Sequence, residues 1–374
     1  YIKYFFINMQ GREQYVGLFE TEYDGIKCYF IDNEEHFQGD APYTTMAWDL
    51  GKFTFFDKAV LSMLWEIGFK PDIIHCHDWQ AALIPAFLEG YRARFSFYDG
   101  IKTVLTIHNL KFQGIWNIDD VKRITGLDDS YFVYEKFEFY GMSNLLKGGI
   151  SYADKITTVS RTYAEEICTE RYGEGLNPLL VFRRKDLIGI ENGIDYDVYD
   201  PETDPLIFEN FSVENAAEKK AANKVALQKE LGLKADKDAM MFGIISRLTD
   251  QKGFDLVRNI LNEMIQDGAQ VVVLGTGERQ YEDLFRYFAD TYKEQVSANI
   301  RYSDELAHKI YASCDAFLMP SQFEPCGLSQ LMAMRYGTLP IVRRTGGLAD
   351  TVIPYNYDPE AGNGTGFGIE YSDS

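Results

Sequence analysis

The stretch AMMFGIISRLTDQKGFDLVRNILNEMI, Ala239 to Ile265, reads as a buried strand, a polar turn and a helix. Its first part is a short apolar run. Its last part spaces Phe, Leu, Val and Ile as one face of a helix does. Such a strand–turn–helix unit is the element of a parallel sheet with covering helices. The scheme recurs downstream in AQVVVLGTG before ERQYEDLFRYFADTY, DAFLMPS before LSQLMAMRYG, and TLPIVRRTGG before LADTVI. Upstream it recurs in PDIIHCHD before WQAALIPAFLEG, in KTVLTIHN, in DKITTVS before RTYAEEICTERYG, and in LIGIENG. Between the two series lies ENGIDYDVYDPETDP, rich in Asp, Gly and Pro, and then a polar helical stretch, SVENAAEKKAANKVALQKELGL. The expectation is an α/β protein of two doubly wound domains, residues 1–192 and 206–374, with a hinge at 193–205. Ligands of open α/β sheets bind at the carboxyl ends of the strands, so two such edges are expected to face each other across a cleft.

Composition narrows the functions. The 374 residues are 46% hydrophobic and 25% charged, as in a globular protein of about two domains. A net charge of −20 repels nucleic acid and anionic membrane, which leaves neutral polymers and small anions held in a local basic pocket. Five scattered cysteines, without a CxxC pair, fit reduced thiols in a cytoplasmic compartment. No run of about 18 apolar residues suggests a membrane span. The chain opens on Tyr1 and closes on GIEYSDS, so both ends read as cut and a missing leader carries no information.

The unusual polar residues fall at strand ends. Arg247 and Lys252 share one turn between a strand and a helix, where two cations suit a diphosphate or form a solvated surface pair. Gly327, Leu328 and Ser329 open a helix, and Gly346–Gly347 open another; both helix starts favour an anion. Glu324 lies just ahead of the first. A carboxylate there would repel a phosphate, so it serves a neutral polyhydroxyl group or a cationic centre, or else it caps the helix. Cys326 reads as a small buried hydrophobe. The turn in VLGTGERQYE lacks the third glycine of a dinucleotide fingerprint. His75 and His77 share a strand face, but no complete ligand set accompanies them, and no metal site is expected. GxSxG and P-loop motifs are absent.

SQFEPCGLSQLMAMRYGTLPIVRRTGGLADTV, SRLTDQKGFDL, IIHCHDWQAALIP, VLTIHNLKFQG and ENGIDYDVYDP together resemble the bacterial glycogen synthases and plant starch synthases, in order and over essentially the whole chain. The resemblance implies a GT-B fold of two facing Rossmann-like domains, acceptor-side first and nucleotide-sugar-binding second. It implies retaining transfer of glucose from ADP-glucose to the non-reducing end of an α-1,4-glucan, glycogen or starch, with no cofactor or metal, in the cytoplasm or, for a plant source, the plastid. By the same resemblance Arg247 and Lys252 hold the diphosphate, and Glu324 contacts the glucosyl ring. Cys326, Gly327, Leu328 and Ser329 line the sugar and phosphate side. His108 stands beside the anomeric carbon with Asn109 next to it, Asp78 and Tyr43 are first-domain cleft residues, Asn192 is the hinge asparagine, and Tyr302 packs near the adenine. Two departures stand out: the family's Lys-x-Gly-Gly loop and its C-terminal helices are absent from this sequence, and Lys147-Gly148-Gly149 is no substitute for the loop. Another GT-B glycosyltransferase, or a non-catalytic glucan-binding scaffold, are the alternatives.

Overall fold

The unit read first forms as its pattern requires. In a computed structural model that describes residues 1–39, 41–356 and 364–369, the strand runs Met241–Ile245 and the helix Phe254–Gln266. The chain divides into two units, Tyr1–Thr158 with Ala164–Gly189, and Val159–Tyr163 with the residues from Ile190 onward.

The first unit begins with an antiparallel meander, β1 (Lys3–Met9), β2 (Arg12–Tyr23) and β3 (Ile26–Asp32). Its two-residue turns, Gln10–Gly11 and Asp24–Gly25, have positive φ at both positions. That conformation matches the twist of paired strands, and glycine adopts it without strain. There follow α1 (Met46–Glu66), β4 (Ile73–His77), α2 (Leu83–Arg92), β5 (Lys102–Ile107), β6 (Ile115–Trp116), α3 (Ile118–Thr125), β7 (Glu138–Phe139), β8 (Met142–Asn144), α4 (Leu145–Tyr152), β9 (Lys155–Thr158), α5 (Arg161–Glu166), α6 (Asn177–Phe182) and β10 (Leu187–Gly189). Strands β4, β5, β9 and β10 form a parallel sheet in that order, and β6, β8 and β7 a small antiparallel one. In Lys147-Gly148-Gly149 the lysine amine donates to the carbonyls of Tyr134 and Glu138, and a Cβ at Gly148 would strike the Phe137 ring. These three residues are structural.

The second unit contains α7 (Ala216–Glu230), β11 (Met241–Ile245), α8 (Phe254–Gln266), β12 (Gln270–Leu274), α9 (Arg279–Thr291), β13 (Val296–Asn299), α10 (Asp304–Ser313), β14 (Ala316–Met319), α11 (Ser329–Arg335), β15 (Leu339–Arg343), α12 (Gly346–Thr351) and β16 (Phe367–Ile369). Among the described residues its six strands are all parallel, in the order β13-β12-β11-β14-β15-β16. The chain therefore starts at β11, winds outward through β12 and β13, and returns to the other side of β11 at β14. A ligand crevice forms where strand order reverses in this way. The core beneath joins Ile244, Val271 and Val273 to Phe254, Val257, Leu261 and Ile265 of α8 and to Tyr281, Phe285 and Phe288 of α9. Full burial of such a side chain is worth about 1.5–3 kcal/mol.

The Asp-, Gly- and Pro-rich segment 193–205 is part of this second unit. Asp204 is buried, 2.7 Å from His308 Nδ1, and accepts a 2.5 Å hydrogen bond from the Tyr336 hydroxyl. Val159–Tyr163 joins it as well, since the backbone amide and hydroxyl of Thr162 both donate to Asp350. Among the described residues no helix is long and apolar enough to cross a membrane, and the five cysteines are free.

Candidate active site

The reversal in the second sheet brings two loops together. The loop after β11 carries Arg247 and a short 3₁₀ turn, Asp250–Lys252, ended by Gly253 at φ 71°. A side chain at Gly253 would collide with the Pro320 carbonyl, so this glycine lets the loop close on the one after β14. The amide of Gln322 donates to the Gln251 carbonyl at 2.8 Å, and the Gln251 side chain donates to the Phe323 carbonyl at 3.2 Å. Across this seam Lys252 Nζ meets Glu324 Oε2 at 2.6 Å, and the Ser321 hydroxyl donates to the same oxygen at 2.9 Å. The lysine and glutamate side chains are 15% and 9% exposed, so the pair is largely out of water. Lys252 is therefore not a solvated surface cation. Nor is Glu324 a helix cap, because the N-cap of α11 is Leu328 and no side chain caps it.

Gly346 and Gly347 support this loop from the other side. The Gly347 amide donates to the Glu324 carbonyl at 3.1 Å. A Cβ on Gly346 would strike the Glu324 carbonyl, and one on Gly347 the Cys326 carbonyl. Cys326 is buried, which pushes its thiol pKa up, and the Asn192 backbone N–H donates to its sulfur. Gly327 has φ 70°, and Gln330 clamps the turn by donating to the carbonyls of Cys326 and Gly327, each at 3.1 Å. The Ser329 hydroxyl bonds the buried Tyr311 hydroxyl. Of the expected second-unit residues, Lys252, Glu324, Cys326, Gly327, Gly346 and Gly347 thus come together, and Asn192, expected at the end of the first domain, joins them. Arg247 stands exposed at the end of β11 without an ion pair among the described residues. Leu328 is partly exposed next to Gly327, and Tyr302 is 89% exposed ahead of α10.

The first unit has a cluster of its own at the ends of β4 and β5. Asp78 follows β4 with φ 55° and ψ −167°, a conformation costly for a residue with a side chain and found mainly where function holds it. Its amide donates to the Thr106 carbonyl, and its Oδ1 accepts the His108 amide at 2.7 Å. Burial raises the Asp78 pKa, opposed by the His108 amide and ring and by the Asn109 amide. Asn109 Oδ1 accepts the Lys111 amide at 3.1 Å. His77 Nδ1 lies 2.9 Å from His108 Nε2, and His75 Nε2 lies 2.6 Å from the Thr106 hydroxyl. Among the described residues no three His, Cys, Asp or Glu side chains are grouped as metal ligands. The Tyr43 hydroxyl accepts from Gln80 at 2.8 Å beside a cavity of about 730 Å³ lined also by Lys52, Phe53, His75 and His77. Sequence reasoning singled out neither Ser321 nor His77 as a site residue. The spacing of Ser321 three residues before Glu324 was a usable signal, whereas the His77–His108 contact joins two strands and leaves no local trace.

Residues 2–181 match the family model described as starch synthase catalytic domain, and residues 228–370 the one described as glycosyl transferases group 1. The chain is 57% identical over 368 residues to a glycogen synthase of Lachnospira eligens, covering 98% of this chain and 76% of that protein. It is 54% identical to one of Lachnoclostridium phytofermentans, covering 98% and 77%. The catalytic domain of starch synthase IV from Arabidopsis thaliana bound to ADP and acarbose superposes with a TM-score of 0.90 at 33% identity, over 100% of this chain and 77% of that one. With two Rossmann-like units and relatives this similar over nearly its whole length, the chain belongs to the glycogen synthase and starch synthase family of glycosyltransferases.

Proposed function

We propose that the protein transfers glucose, with retention, from ADP-glucose to the non-reducing end of an α-1,4-glucan. The observation that carries this is the Lys252–Glu324–Ser321 cluster at the point where strand order reverses. A cation, a carboxylate and glycine-rich helix starts are what a sugar diphosphate requires there. Support comes from the starch synthase IV domain, a close structural relative that holds ADP and acarbose.

In this reading the second unit binds the nucleotide sugar and the first unit serves the acceptor side. Arg247 and Lys252 hold the diphosphate, with Gly327, Leu328, Ser329, Gly346 and Gly347 along its edge. Glu324 accepts hydroxyls of the glucosyl ring, Cys326 lines the sugar side, Asn192 orders the turn next to it, and Tyr302 meets the adenine. His108 and Asn109 serve the transferred glucose, Asp78 orders their loop, and Tyr43 meets the acceptor. The bond from C1 to the phosphate oxygen breaks as the acceptor oxygen bonds C1 on the same face, and the acceptor proton passes to the departing phosphate. Among the described residues Glu324 is the acid that meets Lys252 at the donor loops, and a covalent double displacement would need it paired with a second carboxyl group about 5–5.5 Å away. Rate then comes chiefly from preorganised charge at the leaving diphosphate.

The test is turnover on glycogen with ADP-glucose and with UDP-glucose. ADP release that depends on glycogen, with ADP-glucose preferred, is expected. Glycogen binding without ADP release would establish a scaffold instead, and a preference for UDP-glucose would reassign the donor.

A further inference from the structure

His77 enters no step proposed above, yet it makes the one side-chain hydrogen bond described for the His108 ring. His77 ends β4 and His108 follows β5; these strands pair in parallel, with His77 opposite Thr106. The register sets the two imidazoles side by side, ring centroids 5.2 Å apart. The loop beneath is held by Asp78, whose carboxylate accepts the His108 amide, so the backbone of His108 is fixed independently of its ring. We infer that His77 is a positioning residue that holds the orientation of the His108 imidazole by engaging its Nε2, so that Nδ1 is the nitrogen His108 offers to substrate. The inference rests on the role proposed above for His108.

The chemistry of two neutral imidazoles carries it. In a bond between His77 Nδ1 and His108 Nε2 one nitrogen donates and the other accepts. Whichever way the proton lies, Nε2 of His108 is engaged by His77 and Nδ1 takes the opposite role, so the bond couples the two tautomers and leaves Nδ1 for another partner. His77 remains neutral more readily than an ordinary histidine, because partial burial and the neighbouring His75 and His108 rings hold its pKa down. The His75 ring lies against His77 at 4.3 Å between centroids, tilted by 35°, which limits rotation of the ring.

Three substitutions separate this role from simple packing. His77→Asn places an amide close to the position of Nδ1 and can donate or accept, so it keeps the bond in either direction. His77→Gln sets the amide one methylene farther out and loses it, and His77→Leu fills space with no polar atom. All three are expected to melt near the wild type, since the position is exposed. Nitrogen-15 NMR of the His108 ring at neutral pH should show the Nε2 shift of a nitrogen hydrogen-bonded within the protein in the wild type and in His77→Asn, and a shift moved toward that of a solvated imidazole in His77→Leu and His77→Gln. With ADP-glucose and glycogen, kcat should fall about tenfold in Leu and Gln, as for loss of one orienting hydrogen bond, with KM little changed and Asn restoring most of the rate. An unchanged His108 spectrum in His77→Leu, or equal kcat in all three variants and the wild type, overturns the inference. The spectrum decides it even where the wild type fails to release ADP, a result that would instead sink the proposed function.

Discussion

Replacing Lys252 by alanine should cost more stability than its position in a ligand loop suggests. The substitution removes one partner of a 2.6 Å ion pair and leaves the Glu324 carboxylate, 9% exposed, with the Ser321 hydroxyl as its remaining side-chain donor. Removing one partner of a buried pair costs about 3–5 kcal/mol, because the other charge stays desolvated. The partial exposure of Lys252 places the expectation at the lower end, about 3 kcal/mol. For a unit of this size that lowers Tm by about 6–12 °C.

Calorimetry on Lys252→Ala, Lys252→Met, Glu324→Gln and the Lys252→Met/Glu324→Gln pair tests this directly. The double variant removes both charges and keeps most of the volume, so it should melt within about 1 kcal/mol of the wild type. Glu324→Gln should fall between, since the long Lys252 stem can carry its ammonium to water. If Lys252→Ala melts with the wild type, or the double variant is as unstable as Lys252→Ala, the pair does not hold the loop and the reasoning fails.

Arg247→Ala should cost on the order of 10²–10³ in kcat, as expected on removing preorganised charge facing a developing anion; a rise in KM alone would make it a binding group. Glu324→Ala should lose most turnover while equilibrium dialysis still detects ADP binding, and near-normal kcat would remove it from the sugar site. Gly347→Ala should lose both activity and several degrees of Tm, because its methyl meets the Cys326 backbone; a fully active variant would show that the loop yields freely. Lys58, over the Phe87 ring at 5.3 Å, has its pKa lowered to about 8 by burial. Lys58→Met should therefore be the more stable protein below pH 8. That advantage should narrow between pH 8 and about 10.4, where only the unfolded chain keeps the extra proton; a gap in Tm that stays constant with pH would contradict it.

The second unit was almost wholly legible in the sequence, because each of its inner strands is a short apolar run followed by a helix of regular spacing. Its strand order was not, yet placing Arg247, Lys252, Glu324 and the glycine pair at strand ends needs only the alternation. The N-terminal meander went unread although Asp24–Gly25 is a strong hairpin signal, since its strands lie outside the alternation that organises the rest. The segment 193–205 carries turn residues that suggest a free hinge. What ties it to the second unit is Asp204 meeting His308 and Tyr336, and partners more than a hundred residues apart leave no local pattern. The positive φ of Asp78 is likewise invisible, because nothing in IIHCHDW marks the backbone that must bend there.

The contacts of Glu324 also resolve the main difficulty of its sequence position, an acid set between two expected anion sites. Lys252 and Ser321 both bond Oε2 of Glu324, so the charge is balanced and one carboxylate oxygen is fixed in direction. The backbone at Glu324 is fixed as well, pressed by Gly346 and tied to the Gly347 amide. A carboxylate held at both ends cannot swing toward a diphosphate at the same loops, and in the proposed role its Oε1 is the oxygen that meets sugar hydroxyls. In the proposed function Lys252 then has two anionic claimants, Glu324 and the diphosphate. As charge builds on the departing phosphate its hold on Lys252 strengthens, while Ser321 keeps Glu324 in place. Such an arrangement favours the transition state over the bound donor, which is the condition for raising kcat rather than only lowering KM.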